Sequence, residues 1–210
     1  MLLKRPYRIA RYVIYRQTLI DPVDHFWTFL GSFIAIASFG LLNQSQLTDP
    51  DRVFLIGSFG ASCVLIFGAT HSPLAQPRNL VGGHLLAAVI GVSTYKLLNG
   101  QLWLASALAV SLSIVVMQLT KTMHPPAGAT ALIANIGSEK IKSLGFQYIL
   151  TPVLTGVLIL LVLALLINNI PRHRSYPSQP IRWRSHRGHW PKPLKKSSQQ
   201  TNSQKRVRSH

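Results

Sequence analysis

Charged residues in the middle of this chain are confined to narrow bands, and the stretches between the bands are uncharged. Successive charges enclose windows of 24 residues (25–48), 25 (53–77), 17 (79–95), 24 (97–120), 17 (122–138) and 29 (143–171). A helix rises about 1.5 Å per residue, so about 20 apolar residues span a bilayer's hydrocarbon and about 17 is the lower edge. Four windows reach that length with ease and two stand at its margin. Six in succession predict an all-α, multi-pass transmembrane bundle of about six segments. Trp27 and Trp103 sit near the starts of the first and fourth windows, where amphipathic rings mark the headgroup level.

The flanks differ in kind. Residues 1–24 hold five Lys or Arg against two acids, and 4–20 mix those charges with Tyr, Ile and Val, as suits a helix lying at the membrane interface. Arg16 interrupts any signal-peptide core, and nothing there looks cleavable. Residues 172–210 hold eleven Lys or Arg and no acid, with too few apolar residues to fold alone. That segment is read as a disordered basic cytoplasmic tail drawn to anionic lipid headgroups. Trp183 and Trp190 among its arginines are a weak case for stacking on bases, and no RNA-binding fold accompanies them, so nucleic acid is not the expected partner. Three domains follow: a basic segment 1–24, a transmembrane domain 25–171 and the tail 172–210.

The net charge of +17 therefore belongs to the ends, and the mean hydropathy of +0.25 understates the middle. Cys63 is the one cysteine, which excludes an intrachain disulfide framework and a thiolate metal site and leaves a small packing residue.

Positive charge also orients the bundle, because Lys and Arg concentrate on the cytoplasmic side. With six crossings, the inner side carries the five of the N-terminal segment, Arg78, Lys121 and the eleven of the tail, which is 18 of 22. If the fifth window stays out of the membrane, only nine remain inside. A model in which windows two and five dip in and return leaves 17 inside, so charge does not separate it from six crossings.

Windows two and five share a pattern: Gly60-Ala61-Ser62 and Gly128-Ala129-Thr130 each precede an apolar run, at an offset of 68 residues. The domain thus reads as two three-segment halves, a 3+3 inverted repeat with two broken or half helices. Gly and Pro interruptions at matching places in two halves point to a binding site near the midplane. Before the second copy stands Thr122-Met123-His124-Pro125-Pro126-Ala127. Two prolines are costly inside a helix and harmless at its start, so Pro125 and Pro126 are expected to open a helix running through Ala134. Free N–H groups at Ala127, Gly128 and Ala129 would then need partners, either the hydroxyls of Thr122, Ser62 or Thr130 with buried water, or an anion. Gly128 and Ala127 would leave room for close backbone approach.

No window contains a carboxylate, whereas carriers of cations or protons commonly need one in the membrane. This favours an anion. Lys121 would add positive charge at the mouth of the site, although a snorkelling edge residue is the simpler reading of it alone. His71, His84 and His124 are the histidines well inside the windows. His124 is best placed to touch an anion or carry a proton, and His84 more readily serves helix packing. Their scatter over three segments gives no metal-ligand spacing, and neither cofactor nor enzymatic chemistry is expected.

The stretches MHPPAGATALIA (123–134) and SPLAQPRNLVGGHLLAAVIGV (72–92) together resemble the HPP family of integral membrane proteins, over about residues 20–170. The first motif falls on His124, Pro125 and Pro126 followed by Ala127 to Thr130, the second on Pro77, Arg78, Asn79, Gly82, Gly83 and His84. The resemblance implies membrane transport of nitrite, as associated with cyanobacterial and plastid members. With no transit peptide recognised, a bacterial inner membrane is expected, and the charge count above puts both termini in the cytoplasm. The resemblance also implies four spans, where the windows give six. The expected function is transport of a small inorganic anion, nitrite first, where two broken-helix N-termini meet. A membrane scaffold acting through the basic ends is the alternative, and assembly as a homo-oligomer is left open.

Overall fold

The structure is a computed structural model that describes residues 22–43, 49–98 and 100–178. The interfacial helix expected over 4–20 and the tail beyond 178 lie outside the described residues. Helix α1 runs Pro22–Leu42, α2 Asp49–Cys63, α3 Pro77–Leu97, α4 Leu102–Thr120, α5 Ala127–Ile136, α6 Glu139–Leu144 and α7 Thr155–Ile167. A π-helical turn, Val64–Gly68, prolongs α2, and another, Ile149–Leu154, leads into α7. Among the described residues there is no strand, so the all-α bundle of the sequence reading stands.

Contacts between the helix ends define two ends of the bundle. At the first, Arg174 bonds Asp24 of α1, Thr28 donates to the Phe67 carbonyl that closes α2, Arg78 reaches the Thr120 carbonyl, and Asn168 donates to Ile66. At the opposite end Asp51 accepts from Ser138, and the Lys96 ammonium lies 5.6 Å from the centre of the Phe146 ring. Each window therefore runs from one end to the other, alternating in direction. Among the described residues, five helices are long and apolar enough to cross a membrane.

The fifth window crosses differently. Its helix has 10 residues, about 15 Å, a helical turn at Pro125 and Pro126 adds about 3 Å, and the non-helical stretch 122–124 adds about 10 Å, together close to one hydrocarbon thickness. It thus reaches from end to end, although its helix is too short to cross by itself. Window two holds a helix long enough to cross, Pro50–Gly68, which is at odds with a dip and return there.

Close packing without a hydrophobic drive between helices needs small residues, and α3 supplies them. Its buried positions are Leu80, Gly83, His84, Ala87, Ala88, Gly91, Val92 and Thr94. They face Ala105, Ala109, Ser113 and Met117 of α4 and Ala127, Thr130 and Ala131 of α5. A Cβ on Gly91 would stand 2.9 Å from the Ala131 Cα, so the two backbones touch there. The larger side chains pack elsewhere, around Phe39 and Phe59, edge to face at 4.7 Å, with Gly156 of α7 against both rings. The helix pairs also match the two-half reading: α3 packs on α4 and α5, as α7 packs on α1 and α2, while α2 meets α5 and α3 meets α7.

Two expectations need correction. No helix begins at Gly60, because Gly60, Ala61 and Ser62 lie within continuous α2, which no proline interrupts. The second interruption falls instead on the last crossing, where Thr151 leaves helical geometry (φ −136°, ψ 117°) just before Pro152. The tail boundary at 172 is also displaced. Arg174 is buried against Asp24, Thr28 and Phe67, and Tyr176 donates its hydroxyl to Ala75, so residues 172–178 fold back over the first end. Burial pushes the Tyr176 phenol above its usual range. Charge and proline in this segment mimic a solvated tail, and only tertiary contact shows otherwise.

Candidate functional site

The helix α5 starts where it does because its prolines forbid an earlier start. Pro125 and Pro126 carry no N–H, so the turn that opens α5 brings two fewer donors into the membrane. The carbonyls they leave free turn back on the helix itself. Ala127 donates to His124 (2.9 Å), Gly128 to Pro125 (3.1 Å) and Ala129 to Pro126 (3.1 Å). The three N–H groups expected to await an anion are thus occupied by the turn that precedes them. An i to i+3 turn satisfies a helix start by local geometry, which a count of orphan donors overlooks.

The non-helical stretch is held by the second sequence motif. Asn79 donates to the Met123 carbonyl at 2.7 Å, and Arg78 to Thr120 at 2.6 Å. Gly82 and Gly83 give it space: a Cβ on either would stand 2.7 Å from Thr122 Cγ2 or His124 Cβ. Close approach is therefore provided by the glycines of α3. Gly128, expected to serve that purpose, faces open space, as does Gly60.

Under this cradle five polar side chains form one buried cluster. His84 and His124 have no solvent exposure, and their ring centres are 5.0 Å apart. Ser62 Oγ lies 3.0 Å from Nε2 of each ring. Nδ1 of His84 is 2.7 Å from Thr130 Oγ1, and Nδ1 of His124 is 2.9 Å from the Leu74 carbonyl. Ser58 stands 3.0 Å from Thr130 Oγ1 and 3.1 Å from the Pro126 carbonyl, and Tyr148 donates to the Thr130 carbonyl. Leaving such groups unpaired in a bilayer interior is costly, and here every ring nitrogen has a partner.

The structure thus brings together Ser62, His84, His124, Pro126 and Thr130. It separates Ala61, exposed on the outer flank of α2, and Pro125, exposed beside the break. Lys121 is exposed at the first end, where its left-handed backbone (φ 57°) ends α4, so it is an edge residue. His71 is exposed in the loop before α3, away from the pair. Among the described residues no three His, Cys, Asp or Glu gather to hold a metal. Sequence reasoning missed Ser58 and Tyr148, and it named Asn79 only as a member of the second motif. For Ser58 the signal was present, since it lies one helical turn before Ser62 on the same face.

A family match to the HPP transmembrane region spans residues 17–177. Two curated transmembrane proteins of Dictyostelium discoideum are similar. One is 50% identical over 165 residues, covering 77% of this chain and 58% of the relative. The other is 50% identical over 154 residues, covering 72% and 49%. The chain thus spans about half the length of the curated relatives it matches. No solved structure matches. With its two motifs joined in one cradle and the match covering every crossing, the chain belongs to the HPP transmembrane family.

Proposed function

We propose that this protein transports a small monovalent anion, nitrite first, across the membrane. The observation that supports this reading most directly is the buried cluster at the broken crossing, where hydroxyl and imidazole donors gather without a carboxylate. An anion in a bilayer interior needs such donors, and a nearby carboxylate would repel it. The donors are side chains of Ser58, Ser62, Thr130 and the two histidines, in place of the helix N-termini that the sequence suggested. The family resemblance is the source of nitrite as the first substrate to try.

In this reading the first end of the bundle faces the cytoplasm, since, counted along the sequence, 18 of the 22 Lys and Arg belong to its side of the crossings, against Arg52, Lys96, Lys140 and Lys142 on the other, and positive residues favour the inner side. The protein then sits in the inner (plasma) membrane with both termini cytoplasmic. Uptake of labelled nitrite into proteoliposomes tests the proposal. We expect uptake above empty vesicles and its loss in His124→Ala and in Ser62→Ala. Uptake no greater than that of empty vesicles would sink the transport reading.

A further inference from the structure

The hydrogens of the buried cluster are set by the acceptor at its end. The Leu74 carbonyl can only accept, so a neutral His124 carries its hydrogen on Nδ1 and presents Nε2 as a bare acceptor. Ser62 has one hydroxyl hydrogen and two acceptors that could take it, His124 Nε2 at 3.0 Å and the Ser58 carbonyl of the preceding turn at 3.2 Å. Only the ring nitrogen would otherwise be left bare, so it takes the hydrogen and Ser62 accepts from His84 Nε2–H. His84 Nδ1 is then bare and takes the hydrogen of Thr130. One polarity, from Thr130 toward Leu74, leaves no ring nitrogen unpaired.

One added proton fits without the loss of a bond. On His84, Nδ1–H donates to Thr130, whose hydroxyl turns to Ser58, whose own hydroxyl turns to the Pro126 carbonyl. On His124, Nε2–H donates to Ser62, which turns to His84 Nε2, while His84 carries its hydrogen on Nδ1 toward Thr130. Only hydrogens move between these two arrangements, and Ser62 links them. A second proton would place like charges on rings 5.0 Å apart with no carboxylate facing them.

The groups packed around the pair leave that balance intact. The α2 helix contributes Ser58, Ser62 and buried Cys63, α4 contributes Met117, and α5 contributes Thr130. Tyr148 is bonded to the Thr130 carbonyl. The charges lie toward the ends: Asp51 with Ser138 at one, Arg78 with Thr120 and the exposed Lys121 at the other. Among the described residues no carboxylate contacts the two rings, so an imidazolium formed here would lack a protein counter-ion in contact, and a monovalent anion would be one.

We infer that His84, His124 and Ser62 form a single shared proton site, and that each anion crosses together with one proton held there. This rests on the transport reading above. One proton and one anion enter from the same side and leave on the other, so no net charge moves and nothing is oxidised or reduced.

The test uses the full chain in two measurements. ¹⁵N-imidazole NMR of purified protein follows both rings through a pH titration, with and without sodium nitrite. Proteoliposomes with a lumenal pH dye follow nitrite uptake with and without an imposed voltage, and empty vesicles set the leak of undissociated acid. Expected are rings that titrate together to a total of one proton, at higher pH when nitrite is present. Expected too is one proton entering per nitrite, with no dependence on voltage. Ser62→Ala should uncouple the two titrations, and Ser62→Thr, which restores the hydroxyl, should restore the coupling.

Rings that stay neutral throughout, or that take up two protons independently, overturn the shared site. Uptake at unchanged lumenal pH overturns the coupling and leaves the transport reading in place. A shared one-proton titration without uptake supports the site, and it overturns the transport reading together with the coupling.

Discussion

Gly60-Ala61-Ser62 and Gly128-Ala129-Thr130 carry the same pattern on adjacent crossings that run in opposite directions, yet they sit in different structures. The first lies within an unbroken helix and the second in the opening turn of a short one. What separates them is the three residues before each copy: Gly57-Ser58-Phe59 in one case, Pro125-Pro126-Ala127 after a histidine in the other. A helix with all its N–H groups runs through a Gly-Ala-Ser sequence without interruption, whereas two prolines force a start. The copies share their hydroxyl, and it is the hydroxyl that they use in common, since Ser62 and Thr130 both bond His84. Likeness between two segments therefore shows which side chains meet and leaves the backbone around them undetermined.

The comparison is tested most severely at the backbone contact of the second copy. Gly91→Val would push α3 away from Ala131, and overpacking costs about 1–3 kcal/mol, with more where backbone is the obstacle. We expect the purified protein to lose its thermal transition or its monodispersity in detergent. The same change at Gly60, Gly60→Val, meets open space and should leave both unaltered.

Replacing the prolines asks whether they are the difference. In Pro125→Ala with Pro126→Ala, the restored N–H groups allow α5 to grow toward Lys121, which would draw His124 off Leu74 and Ser62. Nitrite uptake should fall to the level of empty vesicles while the melting temperature changes little. Retained uptake would show that the break is incidental to transport.

Smaller effects follow from the hydroxyls. Thr130→Val removes the partner of both Ser58 and His84, and buried side-chain bonds in membrane proteins are worth about 0.6 kcal/mol on average and at most about 1.7. A stability loss of about 1 kcal/mol in a detergent unfolding titration is expected, and a loss several times larger would mean that the cluster holds the fold as well as the site. The smallest effect belongs to Gly128→Leu, within about 0.5 kcal/mol of the parent, because a Cβ added there has no atom within 4 Å. A large loss there would revive the idea that this glycine admits a close backbone.

The crossings were legible in the sequence because charge is excluded from hydrocarbon, so the bands of Lys, Arg and Asp mark the ends of each segment. The start of α5 was legible for a similarly local reason, the missing N–H groups of Pro125 and Pro126. His124, His84, Ser62 and Thr130 were all named in advance, and the structure joins them. The partners of the broken stretch were not legible. Asn79 reaches it, and Arg78 reaches the end of α4 just before it, across more than 40 residues of chain, which only the packing of α3 determines. The closure of the α5 N–H groups escaped because carbonyls three residues earlier satisfy them. Arg174 was assigned to a tail because a lone arginine among Pro and Ser looks solvated, and its burial depends on Asp24, 150 residues away.

The folded-back segment 168–178 places a handle on the buried pair. Asn169 and Tyr176 are bonded to each other, Tyr176 donates to Ala75, and Ser178 and Gln76 exchange two hydrogen bonds. The residue beside Ala75 is Leu74, whose carbonyl fixes the hydrogen of His124. The segment therefore joins the site through a few hydrogen bonds and the short 3-10 turn Pro73–Ala75. What looked like the start of a solvated tail is thus a brace on the turn that sets the tautomer of His124.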